Sequence, residues 1–148
     1  MAKFIFSMQS LLNIKEKLEE QEKNNYSQAN MRLLEAQAEY DRLVLRRQEA
    51  EHKLRGEISE ALNIVEIRRR KNEVEILKGY VAEQKEVVIQ REQELEIARQ
   101  RLNEARKEKK TFEKLREKAF EKFLAEENVR EQKEVDELVS YRFGSGTR

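Results

Sequence analysis

Apolar side chains recur every three and four residues in two stretches of this chain, and the sequence contains no proline. In the second stretch, two sets of heptad positions are occupied by Val74, Val81, Val88, Leu95 and Leu102, and by Leu77, Ala98, Ala105 and Phe112. The first stretch has Tyr26, Leu33, Tyr40 and Leu54, with Ala29, Ala36, Leu43 and Ala50. Such a stripe on a helix is stable only against another helix. The two stretches therefore predict an all-α fold, a long antiparallel two-helix coiled-coil hairpin.

The boundary between the two stretches decides how the chain divides. Gly56 follows the first stretch, and a glycine there favours a helix end because it accepts left-handed geometry. Ser59 could then be the N-cap of the second helix, although Gly56 could also be tolerated inside a helix. We expect the bend to lie between Arg55 and Asn72. We predict four segments: a first arm (1–55), a turn region with the start of the second helix (56–72), a second, longer arm (73–143) and a disordered tail (144–148).

The start of the first arm has a less regular pattern. We expect its inward positions to be Phe4, Met8, Leu11, Lys15 and Leu18. Continuing from these, Tyr26 follows Glu22 by four residues where three would be due, which predicts a stutter that locally unwinds the coiled coil.

Phenylalanine is concentrated near both ends of the chain. Two of the six phenylalanines are Phe4 and Phe6, and the others are Phe112, Phe120, Phe123 and Phe143. An antiparallel hairpin brings these regions together. The pattern predicts either an exposed aromatic patch for a partner or a cap on the open end of the hairpin.

Composition and charge limit the possible functions. Of 148 residues, 41% are charged and 38% hydrophobic, as in long coiled coils. Disorder is the alternative for so polar a chain, but a register kept over several heptads argues against it. With 31 Lys+Arg against 30 Asp+Glu, we expect no nucleic-acid partner. The basic run 68–71 could touch nucleic acid or acidic lipid, but a solvated face or an acidic protein partner is favoured.

The sequence offers little chemistry. His52 is the only histidine, so the single Glu49-x-x-His52 motif cannot supply a di-metal site, which needs the motif twice. There is no cysteine, phosphate-binding loop or nucleophile elbow. No apolar run reaches the length of a membrane span or a signal peptide. We therefore expect no enzyme, no metal, no cofactor and no direct membrane insertion.

The two ends carry a family pattern. Residues 4–15, Phe-Ile-Phe-Ser-Met-Gln-Ser-Leu-Leu-Asn-Ile-Lys, resemble the opening of the flagellar export protein FliJ family. Residues 111–118, Phe123 and 131–138 are similar to that family's C-terminal signature. Length and two-arm layout also fit, whereas residues 68–75 depart from the aromatic-rich equivalent.

The resemblance implies a stalk and adaptor of bacterial type III flagellar export, with roles in motility and chemotaxis. It implies binding to a hexameric export ATPase of the FliI type, to an export gate protein of the FlhA type and to export chaperones. The ATPase-binding candidates are Leu11, Leu12, Lys15, Leu18, Phe112, Leu115, Phe120 and Phe123. The gate-binding candidates are Tyr40, Leu43, Arg47, Leu77, Tyr80 and Gln84.

The same resemblance implies a cytoplasmic protein, peripherally associated with the cytoplasmic face of the cell membrane at the flagellar base. We expect a monomer when the protein is free. The alternative is a generic coiled-coil structural or tethering protein that self-associates through its apolar stripes.

Overall fold

The computed structural model describes residues 2–60 and 63–146, and it consists of two α-helices. Helix α1 is Gln9–Ser59, with 51 residues, and helix α2 is Ile64–Gly146, with 83 residues. The all-α prediction is confirmed. Helix is favoured because no proline interrupts the chain and because oppositely charged side chains three or four residues apart support it, as with Arg91 and Glu94 at 3.0 Å.

A side-chain hydrogen bond at the start of α2 replaces the cap that the sequence suggested. The Val65 N–H donates to Asn63 Oδ1 at 3.0 Å, so Asn63 is the N-cap of α2. Ser59 is instead the last residue of α1, and Gly56 lies inside α1 without left-handed geometry. The helix-end role of Gly56 and the N-cap role of Ser59 were therefore wrong, and the alternative that Gly56 is tolerated inside a helix is confirmed. The segment between the helices lies within the predicted interval, and its residues 61 and 62 are outside the described residues.

The chain packs as two compact units. Unit 1 contains the residues up to Glu20 and those from Asn103 onwards, and unit 2 is Gln21–Leu102. The predicted division into arms, turn and tail follows a different criterion and stays a prediction. Of the predicted tail, residues 144–146 are helical, and 147–148 lie outside the described residues.

Unit 2 pairs the two helices through the predicted stripes, which we call its seam. Early residues of α1 meet late residues of α2: Gln84 donates a hydrogen bond to the Ala36 carbonyl at 3.0 Å, and Arg32 lies 3.7 Å from Glu94. The antiparallel pairing is thereby confirmed for this unit. Ala50, Val74 and Leu77 form a buried cluster with Leu54 against it. Every predicted heptad position of this unit is buried or half-buried.

Unit 1 also pairs the helices antiparallel. Gln9 accepts a hydrogen bond from Arg116 at 3.0 Å, and Lys15 lies 2.9 Å from Glu108. From Asn128 to Gly144 all side chains of α2 are exposed. Neither helix, over its described residues, holds an apolar stretch of the length that a membrane span needs.

Candidate functional site

The first turns of α1 carry two parallel stripes that differ by one position. Leu12, Lys15 and Glu19 face α2 in unit 1, where Leu12 is 3% exposed and Glu19 6%. The neighbouring stripe, which we call the outer stripe, faces solvent and consists of Leu11, Ile14 and Leu18 at 46%, 52% and 38% exposure. The prediction that Leu11 and Leu18 are inward positions was wrong.

This inward stripe also removes the predicted stutter. Leu12, Lys15, Glu19, Glu22 and Tyr26 follow one another by three and four residues in strict alternation. All are buried or half-buried. The heptad register of α1 is therefore unbroken, and the stutter was an artefact of choosing the more apolar of two stripes.

Charged residues can occupy inward positions because unit 1 pairs them across the helices. Lys109 Nζ lies 2.6 Å from Glu19 Oε2, and Lys109 is also 3.8 Å from Glu113. The hydrogen bond to the Glu19 carboxylate raises the pKa of Lys109 above its usual range. Lys15 meets Glu108 and lies 6.0 Å from the centroid of the Phe112 ring. Paired in this way, the buried carboxylate avoids the cost of isolation.

Aromatic rings from both ends of the chain meet in unit 1, as the sequence predicted. The Phe4 centroid lies 5.1 Å from Phe120, edge to face, and 5.5 Å from Phe123. Arg116 lies 5.6 Å from the Phe4 centroid and so adds a cation–π contact. Phe120 and Leu115 stay exposed at the surface of this cluster. An exposed aromatic patch is therefore present, and its use by a partner stays a prediction.

The eight ATPase-binding candidates thus fall into different environments. Leu12 lies in the inward stripe, Lys15 in an ion pair, and Phe112 and Phe123 are half-buried. Four present apolar surface to solvent: Leu11, Leu18, Leu115 and Phe120. Ile14 belongs with them, and sequence reasoning missed it. The available signal was its spacing, three residues from Leu11 and four from Leu18.

The six gate-binding candidates lie in unit 2, mostly within the seam. Leu43 and Leu77 are buried, and Tyr40, Arg47 and Gln84 are half-buried. Only Tyr80 is exposed, beside the exposed Ile76 four residues earlier. These two side chains line a shallow groove with Arg46 and Arg69. The accessible part of this candidate site is therefore the groove, whose lining also includes Leu77 of the seam.

No group of side chains suited to a metal occurs among residues 2–60 and 63–146. The arrangement offers apolar and aromatic surface on paired helices, which suits the binding of protein partners.

Two comparisons with known proteins found matches. The family model described as Flagellar FliJ protein matches residues 4–148. A solved structure described as a YscO homologue from Chlamydia trachomatis is 23% identical, covering 92% of this chain and 93% of that chain, with a TM-score of 0.47. No curated protein matches the chain.

Proposed function

The chain belongs to the flagellar FliJ protein family, a component of flagellar protein export, and from this premise we propose that it is a non-enzymatic stalk and adaptor of the export apparatus. In this role it engages the hexameric export ATPase, the export gate protein and export chaperones. It is cytoplasmic and associates peripherally with the membrane at the flagellar base. Long paired helices suit a stalk because they transmit position with little bending.

The outer stripe is the observation that carries the ATPase contact. Leu11, Ile14 and Leu18 share one face of α1, and the pairing in unit 1 does not use that face. A stripe at this spacing is how a helix presents apolar side chains to a groove on a partner. Leu115 and Phe120 add exposed apolar area in the same unit. We therefore assign ATPase binding to these five residues.

The gate contact is assigned to unit 2. Tyr80 and Ile76 are exposed outside the seam, so a partner can reach them without separating the helices. Tyrosine is also enriched among residues that dominate binding energy at protein interfaces. Leu43 and Leu77 then support this surface from within, by keeping the helices paired.

Binding to the purified export ATPase from the same genome tests the ATPase assignment. The double variant Leu11→Gln, Leu18→Gln is expected to bind about tenfold or more weakly. It should also promote less ring assembly and restore motility poorly in a strain that lacks the protein. Helicity measured by circular dichroism should stay unchanged, since both side chains face solvent.

The matched control is Leu34→Gln, Leu45→Gln, which changes two exposed leucines of α1 in unit 2. It should leave ATPase binding unaltered. If this control lost binding while the outer-stripe variant kept it, the ATPase would engage unit 2 and the assignment would be reversed. Leu12→Asp is a poor test, because it would disturb the helix pairing itself.

A second candidate function, self-association as a tethering protein, is favoured by one observation. Leu124, Val135 and Leu138 lie on a common face of α2 and are exposed. A second copy could cover this face. Light scattering coupled to size-exclusion chromatography separates the candidates: a monomer at micromolar concentration supports the stalk, and an obligate dimer supports the tether.

A further inference from the structure

Three aliphatic side chains face solvent where α1 ends and α2 begins in unit 2. Ile58, Ile64 and Val65 are 56%, 70% and 68% exposed, and we call them the turn tip. All three are β-branched, and residues 53–71 contain no aromatic side chain. Nothing in the proposed contacts with the ATPase or the gate uses them.

Cations lie one helical turn behind the turn tip. Arg55 precedes Ile58 by three residues and Arg68 follows Ile64 by four, so each shares a helix face with a tip isoleucine. Lys71 lies a further turn along the face of Arg68. These three basic residues are exposed, and none forms an ion pair with a described residue.

Most carboxylates near the turn tip are already neutralised. Glu57 lies 3.8 Å from Arg70, and Glu66 lies 3.9 Å from Arg69. Glu60 is exposed and is the exception. The basic excess is local, since the whole chain has a net charge of only +1.

We propose that the turn tip docks on an anionic lipid bilayer, with its aliphatic side chains at the boundary between headgroups and acyl chains. The four-residue step from Ile64 to Arg68 covers about 6 Å of helix. That distance matches the ~5–10 Å to which apolar faces enter the interfacial region. Arg55 and Arg68 then lie level with the anionic headgroups, which attract them. This is surface contact without a membrane span.

A bilayer fits the turn tip better than an acidic protein does. Protein interfaces rely on aromatic anchors that fill pockets, and the turn tip offers only aliphatic side chains. Binding to a lipid surface needs apolar side chains at the tip and cations one helical turn away from it, and it does not require shape complementarity. An acidic protein partner is the competing outcome of the test.

Flotation of the full chain with vesicles tests the proposal. We expect binding to vesicles that contain phosphatidylglycerol or phosphatidylserine, and little binding to phosphatidylcholine alone, with the affinity falling as salt rises. Two double variants should each weaken binding about tenfold or more: one carries Ile58→Gln and Ile64→Gln, and the other carries Arg55→Gln and Arg68→Gln. Two double variants at exposed positions of unit 2 are the matched controls and should bind normally: Leu34→Gln with Leu45→Gln, and Lys85→Gln with Arg101→Gln.

A fluorescence measurement gives a second, independent readout. The chain contains no tryptophan, so Ile64→Trp introduces a single reporter at the turn tip. Its emission should shift to the blue with anionic vesicles and be quenched by brominated acyl chains, whereas Leu34→Trp should do neither.

Three results would overturn the proposal: no binding to anionic vesicles at low salt, binding that the tip variants leave intact, or equal binding to neutral vesicles. If the chain binds no lipid and the tip variants lose binding to an acidic export protein, the turn tip would be assigned to that protein instead. Because only the chain and vesicles are present in flotation, the outcome does not depend on the proposed role in export.

Discussion

The two units pair the same two helices with different chemistry. In unit 2 the seam is mainly apolar, with Leu43, Ala50, Val74, Leu77 and Val81 buried. In unit 1 the inward positions include Lys15, Glu19 and Lys109, and apolar leucines of the same turns face solvent. Unit 2 therefore gains stability mainly from the hydrophobic effect, whereas unit 1 combines fewer buried apolar residues, Phe6, Leu12 and Ala105, with charge pairs across the helices.

The difference suggests a division of labour. Burying leucines in the seam serves pairing, whereas exposing them on the outer stripe leaves apolar area for a partner. We therefore expect unit 1 to be the less stable unit and the better binding surface. Sites that bind partners are commonly drawn from the less stable parts of a structure.

The largest expected effect lies in the apolar seam. Leu77→Ala removes a side chain from the buried cluster with Ala50 and Val74. It should lower the free energy of unfolding by about 2–4 kcal/mol, through lost transfer energy and the cavity left behind. Urea unfolding followed by circular dichroism measures this change.

Ile76→Ala is the control for that measurement. Its side chain is adjacent in sequence, but it lies outside the seam and is about half exposed, so its replacement should change stability by roughly 0.5 kcal/mol or less. Equal losses for the two variants would contradict the register described for unit 2.

The second prediction converts the charged seam of unit 1 into an apolar one. Glu19→Leu, Lys109→Leu together should raise the midpoint of thermal unfolding by a few degrees, because a buried ion pair is often less stabilising than apolar packing. Lys109→Leu alone should lower the midpoint, since Glu19 would stay buried without its close cation.

The double variant also sharpens the comparison between the units. If unit 1 of the double variant then unfolds at the same temperature as unit 2, the Glu19–Lys109 pair is what limits the stability of unit 1. A double variant that melts below the wild type would mean that the Glu19–Lys109 pair is itself a main stabilising contact, against our reading.

Sequence patterns predicted unit 2 well and unit 1 less well, for a physical reason. Where the inward stripe is also the most apolar one, as at Leu77 and Val81, heptad counting finds it. At residues 11–19 two stripes compete, and counting favours Leu11 and Leu18. The inward choice of Glu19 depends on Lys109, which is distant in sequence, so local pattern could not reveal it.

The helix end near Gly56 shows the same limit. Glycine after a periodic run is a sound local signal for a helix end. Here α1 continues to Ser59, and Asn63 caps α2 instead. The sequence pattern suggested only Ser59 as the N-cap of α2, and the residue that the structure uses, Asn63, was not predicted.

Gly56→Ala tests that correction directly and should have a smaller effect. A Cβ at Gly56 would meet no atom within 4 Å, and the residue is helical. Alanine should therefore stabilise the chain by about 0.5–1 kcal/mol, mainly by restricting the unfolded state. A loss of stability would place Gly56 in the left-handed helix end that the sequence suggested. Gly79→Ala, at another open helical position of unit 2, should behave alike.

The smallest expected effect is the pH dependence of the Glu19–Lys109 pair in unit 1. The pKa of Lys109 is raised in the folded chain by its hydrogen bond to Glu19. The pair's contribution is therefore fully present below the unfolded pKa of about 10.4 and is lost as pH rises through the raised folded pKa. Lys109→Arg keeps its charge in this range and serves as the reference. The difference between the unfolding midpoints of the wild type and of Lys109→Arg should stay constant from about pH 7 to pH 9. Above about pH 10.5 the midpoint of the wild type should fall relative to that of Lys109→Arg. The two proteins differ only at position 109, so parallel curves throughout would show that this pair contributes nothing to the stability of unit 1.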